Sequence, residues 1–292
     1  MGFSEKMSTD NDIKEVIIKP AAKTNIFHTF TDLWRSRHLV SYFSVRFIQQ
    51  RYKGTFLGWG WLIIRPLLPA FLSTLIFGKM AKIPSDDVPY MLFFFTGFAI
   101  WNMFTTALVF MTRSIRNNRR LFTKLYFPRV IVPITSIAPV LIEFLVTFVM
   151  LFIIAAFYFI KEGRFYLNFS PGFFMAGYFV LMAILLIIGV GLWTAVLNAQ
   201  NRDVRFGLPY FLQGWVFVTP VIYPISFVPQ QWKWLVYLNP MTVIVEGYKW
   251  SILGKGEVNL AYGLLNVLIV ILVFMSGIWF FQKAETAFVD SL

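Results

Sequence analysis

The chain contains no cysteine, which excludes disulfides, zinc–thiolate sites and thiol catalysis outright. It has no phosphate-binding loop either. Gly78-Lys79 and Gly254-Lys255-Gly256 lack the preceding glycine spacing and the following Ser or Thr that would cradle phosphate and magnesium. The chain does not bind ATP in that manner, so any ATP its work consumes belongs to a separate polypeptide. The first 27 residues are polar and of mixed charge, without the short apolar core of a signal peptide, and read as a flexible tail. Acidic residues are few, 14 Asp and Glu against 26 Lys and Arg, for a formal net charge of +12.

What the chain has in quantity is apolar length. Six stretches stand out, at 58–78, 88–112, 130–160, 172–197, 207–223 and 260–281. Most exceed the roughly 20 residues needed to cross a bilayer core of about 30 Å. The stretch 207–223 is the shortest and holds Pro209, Gln213 and Pro220. The expected fold is an all-α integral membrane protein with six transmembrane helices. With the N-terminus inside, 18 Lys and Arg fall on the inner side and seven outside, and this bias predicts that both termini are cytoplasmic. Membrane orientation accounts for most of the positive charge, and nothing separate points to nucleic acid.

Residues 30–53 are too polar to cross. On a helical wheel Leu33, Val40, Phe43, Phe47 and Ile48 share one side, with Arg35, His38, Arg46, Gln49 and Gln50 opposite. This predicts an amphipathic helix in the membrane interface. Arg37 and Arg51 fall on the apolar side, where the helix bends or faces protein. The segment 113–129, RSIRNNRRLFTKLYFPR, combines basic flanks with Leu121, Phe122, Leu125, Tyr126 and Phe127. Two readings stand, a solvated positive-inside loop and a short helix that docks into another protein. A second compact polar turn on the same side, 198–205, contains Arg202 and Asp203.

The segment 224–254 holds Pro224, Pro229, Pro240, Trp232, Trp234, Tyr237, Tyr248 and Trp250. Its apolar run 241–253 has 13 residues with Glu246 and Lys249 inside it, too short and too polar to cross. Re-entrant or interfacial helices around Asn239-Pro240 fit better, with Trp and Tyr at headgroup depth. Two charges lie within spans. Arg65 is near enough to an end to snorkel, whereas Glu143 is central to the third span and needs a partner. The 34 Phe, 12 Tyr and 10 Trp admit two readings, packing and a path on which sugar rings stack. Candidate wall residues are Phe94, Phe98 and Trp101 in the second span and Tyr210, Phe211 and Trp215 in the fifth.

Three stretches together resemble the membrane subunit of polysaccharide-exporting ABC transporters, including O-antigen and teichoic-acid exporters. They are RYKGTFLGWGWLIIRPLL at 51–68; Pro89-Tyr90, Gly97, Trp101, Ser114-Ile115, Asn118, Leu121, Lys124, Tyr126-Phe127-Pro128-Arg129 and Pro133; and Arg202-Asp203-Val204 with TPVIYP at 219–224 and LNPMT at 238–242. The resemblance covers roughly residues 28–285. It implies a homodimeric permease with two copies of a cytoplasmic ATPase that binds the ATP and magnesium. It implies a bacterial inner-membrane location, an undecaprenyl-diphosphate-linked polysaccharide as substrate, and a channel between two six-helix bundles.

The resemblance makes 117–124 the coupling helix, with Asn117, Asn118, Arg120, Leu121, Phe122 and Lys124, accompanied by Arg202 and Asp203. It makes 30–53 an interfacial gate helix, and Arg46, Arg51 and Lys53 of that helix, with Trp59 just after it, meet incoming lipid-linked substrate. It makes 224–254 the periplasmic gate, with Trp232, Trp234, Tyr237, Asn239 and Pro240. The expected division is a tail at 1–27, the interfacial helix at 28–53, the six-span domain at 54–285 and a cytoplasmic tail at 286–292. No catalytic residue and no metal site is expected in this chain. A permease for lipid or drug differs only in cargo. A membrane glycosyltransferase is the rival from another class, and Asp86-Asp87 is the acidic pair that would serve it.

Overall fold

The computed structural model describes residues 34–52, 56–119, 127–256 and 258–291. The expected tail at 1–27, together with Lys53, Arg120, Leu121, Phe122 and Lys124, lies outside the described residues. Among the described residues every regular element is helical. In chain order these are α1 (Arg37–Tyr52), α2 (Trp61–Ser73), α3 (Tyr90–Asn117), α4 (Ile131–Thr135), α5 (Ala138–Glu162), α6 (Met175–Gln200), α7 (Asp203–Val218), α8 (Gln230–Tyr237), α9 (Pro240–Leu253) and α10 (Leu260–Ser291).

Five helical runs are long and apolar enough to cross a bilayer: Gly58–Met80, Tyr90–Asn117, Ile131–Glu162, Pro171–Gln200 and Leu260–Ala284. They correspond to five of the six expected stretches. The remaining stretch, 207–223, is represented by α7, whose 16 residues reach about 24 Å at 1.5 Å per residue. It stops at Val218 because Thr219 turns extended and Pro220 has no amide hydrogen to continue the ladder. α2 holds Pro66 and Pro69, and Thr74–Met80 carries it onward as a π-helical segment. α5 and α9 each end on a glycine in the left-handed region, Gly163 at φ 67° and Gly254 at φ 65°.

α3 is the central helix, packed against α2, α5, α6, α7 and α9. Its run is the most buried of the five spans, whereas that of α2 is mostly uncovered. α6 and α10 cross where two glycines meet. A Cβ on Gly277 would come within 2.3 Å of the Gly189 carbonyl oxygen, so the backbones touch directly. α1 lies against α4 and α5, with Phe43 fully buried. This up-and-down path places the starts of α2, α5 and α7 and the ends of α3, α6 and α10 at the same end of the bundle as α1. α8 and α9 lie at the far end.

Candidate functional site

At the α1 end the inward face of α1 carries Val40, Phe43, Phe47 and Arg51 at helical spacing. Arg51 thus lies on the apolar side because it faces protein. Its Nη2 donates to Glu143 Oε2 on α5 at 2.6 Å and lies 2.5 Å from Oε1 of the same carboxylate. Arg65 Nη1 on α2 approaches Glu143 Oε1 at 3.4 Å. The Arg51 guanidinium lies 4.4 Å from the Phe110 ring centroid on α3. One node therefore ties four helices together. The Arg51 and Glu143 side chains are 8% and 9% exposed, and that of Arg65 is 50% exposed. The partner that Glu143 needs is found on a helix 92 residues away. Arg65 reaches outward and also touches the same carboxylate. Of the other residues expected where substrate enters, Arg46 is half-buried on α1 and Trp59 is exposed in the turn Gly58–Gly60.

The same end holds the expected coupling residues. Asn117 ends α3 exposed, and Asn118 caps it with Nδ2 donating to the Ser114 carbonyl at 2.9 Å. Asn198 Nδ2 donates to the Thr112 carbonyl at 2.8 Å, Thr112 bonds Thr194 at 2.7 Å, and Arg116 reaches the Ala199 carbonyl at 3.2 Å. These bonds fasten the ends of α3 and α6. The exposed turn bearing Arg202 and Asp203 follows, with Asp203 in the first turn of α7, where the helix dipole favours an acid. The structure thus brings Asn117, Asn118, Arg202 and Asp203 to one end.

Between α2, α3 and α7 runs a cleft of about 590 Å³. Phe94, Phe98 and Trp101 line it from α3, facing Leu212, Gln213 and Val216 on α7. Tyr90, Phe94 and Phe98 form a ladder, with centroids 6.4 and 5.3 Å apart and planes within 17°. The three expected rings of α7 are placed differently. Tyr210 and Phe211 are exposed on the outward face, and Trp215 is half-buried, edge-on to Phe211 at 4.6 Å. The face of α7 toward the cleft runs through Pro209, Leu212, Gln213 and Val216. That i, i+3, i+4, i+7 pattern was readable in the sequence, but counting rings alone passed over it.

At the far end the segments TPVIYP and LNPMT lock together. Asn239 Oδ1 caps α9 by accepting from the Met241 amide at 3.1 Å, while its Nδ2 donates to Thr219 at 2.9 Å. Asn266 Nδ2 donates to the Pro240 carbonyl at 2.7 Å, and Tyr237 stacks on Tyr262 at 4.3 Å. Trp232 and Trp234 remain exposed on α8. α9 is nearly all buried, including Glu246 and Lys249. Lys249 Nζ donates to the Pro220 carbonyl at 2.5 Å and to Glu246 Oε1 at 3.3 Å, and sits 3.8 Å from the Phe93 ring centroid. Gly97 makes room, since a Cβ there would meet Lys249 Cε at 2.6 Å. The i, i+3 spacing of Glu246 and Lys249 was the available signal for this pair. Of the acidic pair in the first far-end loop, Asp86 accepts from Ser226 at 3.0 Å and Asp87 lies 3.8 Å from Lys255.

The profile of the ABC-2 type transporter family matches residues 38–253, from the second residue of α1 to the end of α9. Curated relatives include an O-antigen export system permease protein RfbA of Myxococcus xanthus, 26% identical over 75% of this chain and 81% of that protein. Two proteins of the same description from Klebsiella pneumoniae are each 23% identical over 84% of this chain and 91% of their own length.

Proposed function

The chain belongs to the ABC-2 type transporter family, and on that premise we propose that it is the permease subunit of an ATP-driven polysaccharide exporter. In this reading the substrate is an undecaprenyl-diphosphate-linked glycan of O-antigen type. Two copies form the channel, and two copies of a cytoplasmic ATPase supply the energy. α7 serves as the sixth span, and α8 and α9 dip into the outer leaflet as re-entrant helices. The O-antigen export permeases among its relatives support this cargo.

The observation that carries the reading is the cleft between α2, α3 and α7. Its wall offers ring edges and faces from Phe94, Phe98 and Trp101, together with Ser73, Thr105, Thr106 and Gln213 as polar groups for hydroxyls. Apolar C–H faces of sugars rest on such rings weakly and repeatedly. A polymer can then slide without being trapped, because conduction needs sites that bind and release. The basic α1 end attracts the lipid diphosphate electrostatically. ATP-driven closure of the partner subunits, transmitted through 117–124 and the Arg202–Asp203 turn, moves the chain outward.

Inactivating the chain in its host should leave lipid-linked glycan on the inner leaflet and remove it from the cell surface. Surface glycan at the normal level overturns the reading. Orientation is tested by single cysteines, which the cysteine-free background makes clean. Positions 86, 162 and 231 should react with an impermeant thiol reagent from outside, and position 118 should not. Replacing Leu121 or Phe122 with Asp should put a charge into the ATPase contact and reduce co-purification of the ATPase. Full co-purification with normal export returns 117–124 to a solvated loop.

A further inference from the structure

Arg51 brings five N–H donors into the bundle, and Glu143 engages those of Nη2. Nε and Nη1 are buried and have no hydrogen-bond partner among the described residues. The Phe110 ring covers one face of the guanidinium, so the free donors lie along its edge. Arg65 stands at the lip of the same node, half exposed and only loosely joined to Glu143 at 3.4 Å. Two guanidinium groups therefore share this carboxylate, and their donors exceed its two oxygens. Such a pair matches an anion with more oxygens than a carboxylate. Phosphate fits, because guanidinium forks bind it through paired, charge-assisted hydrogen bonds.

We propose that Glu143 is a built-in counter-anion, which occupies the Arg51–Arg65 pair until a phosphate or diphosphate group arriving past Arg65 displaces it. The pair then recognises a phosphate-bearing ligand, and Glu143 keeps it closed to weaker anions. This rests on the reading of Arg51 as part of the region where substrate enters and adds the residue that sets its threshold. Displacement exchanges one charge-assisted contact of Arg51 for another, and the displaced Glu143 carboxylate, 9% exposed, has to swing toward the open lip at Arg65, a cost the incoming phosphate must exceed and that sets the threshold.

The test uses the full chain in detergent, with inorganic diphosphate as the probe and titration calorimetry as the readout. Glu143→Gln removes the competing charge while keeping the shape, and should tighten diphosphate binding about tenfold, the scale of a charged hydrogen bond. Arg65→Gln should weaken it about tenfold. Arg37→Gln, on an exposed position of α1, should leave it unchanged. Glu143→Gln binding no tighter than wild type overturns the proposal, and so does Arg65→Gln binding as wild type does. If Glu143→Gln does not accumulate, the half-exposed Arg65 variant decides alone.

A second arm places the protein in phosphatidylcholine nanodiscs with and without phosphatidic acid. Competition between phosphatidic acid and diphosphate assigns the site to a lipid headgroup; diphosphate binding without competition assigns it to a free phosphate. The outcomes separate from those for export. Surface glycan lost on inactivation, with neither variant altering diphosphate affinity, removes the counter-anion and keeps the exporter. The expected affinities in a host whose surface glycan does not depend on the chain do the reverse.

Discussion

Two buried charge clusters sit at opposite ends of the bundle and are built in opposite ways. Glu246 and Lys249 lie one turn apart on α9 and are 2% and 1% exposed at the side chain. The lysine is surrounded by the Pro220 carbonyl, the Phe93 ring and its own acid. It pins the turn after α7 to the helix that caps the far end. The Arg51–Glu143–Arg65 node joins separate helices, is half exposed at Arg65 and leaves donors of Arg51 unused. A sealed, locally paired cluster holds a shape. A shared, partly open one can change partners. The difference locates rigidity at the far end and adaptability at the end where α1 lies.

The largest effect expected from this contrast is at the sealed pair. Lys249→Met leaves Glu246 charged and buried, which costs about 3–5 kcal/mol when one member of such a pair is removed. The variant should melt far lower in detergent or fail to accumulate. Lys249→Met combined with Glu246→Gln should recover much of the loss, because the acid's charge is removed together with its cation. A Lys249→Met protein that melts like wild type would show that the far end is not pinned by this lysine.

Next in size is the open node. Glu143→Gln keeps an oxygen acceptor for Arg51, whose charge still rests against the Phe110 ring, so the stability loss should be about 1–3 kcal/mol. Measured melting should therefore rank Lys249→Met below Glu143→Gln. The reverse order would invert the assignment of rigidity and adaptability. A limited loss at position 143 also keeps the protein intact enough for its binding to be measured.

How much of this was legible depends on the range of each interaction. Long apolar runs declare themselves by length, and five of the six stretches recur as span-length helices. The short one does not, because Pro220 ends α7 at Val218 and its span depends on neighbours. Arg51 looked like a flaw in an amphipathic wheel. The carboxylate that explains it lies on α5, and no periodicity reports a contact between residues so far apart. Glu246 and Lys249 argue against a crossing helix from their charge alone, but their burial depends on Gly97 and Pro220 from two other segments. The α3 rings reach the cleft because they share one helical face, whereas Tyr210 and Phe211 lie on the other side of α7, which aromatic content alone does not report.

The smallest effects on stability concern those rings, and there the contrast passes from charge to function. Trp101 is buried against Phe104 with its centroid 5.7 Å away, and it lines the cleft. Tyr210 is 74% exposed and does not line it. Trp101→Leu stays apolar but removes much of a buried ring, and because that ring borders the cleft the lost volume opens into existing space, so the cost should be about 1–2 kcal/mol. Tyr210→Leu lies at the surface and should change stability by no more than about 0.5 kcal/mol. If the cleft carries glycan, Trp101→Leu should slow the appearance of surface polysaccharide by more than its melting shift explains, with ATPase association near wild type. Tyr210→Leu should leave all three unchanged. The decisive measurement is surface glycan against melting temperature for the same two variants. Export that falls only in step with stability assigns Trp101 to packing. Export that falls in Tyr210→Leu but not in Trp101→Leu moves the path to the outward face of α7, where a second copy of the chain would have to supply the opposite wall.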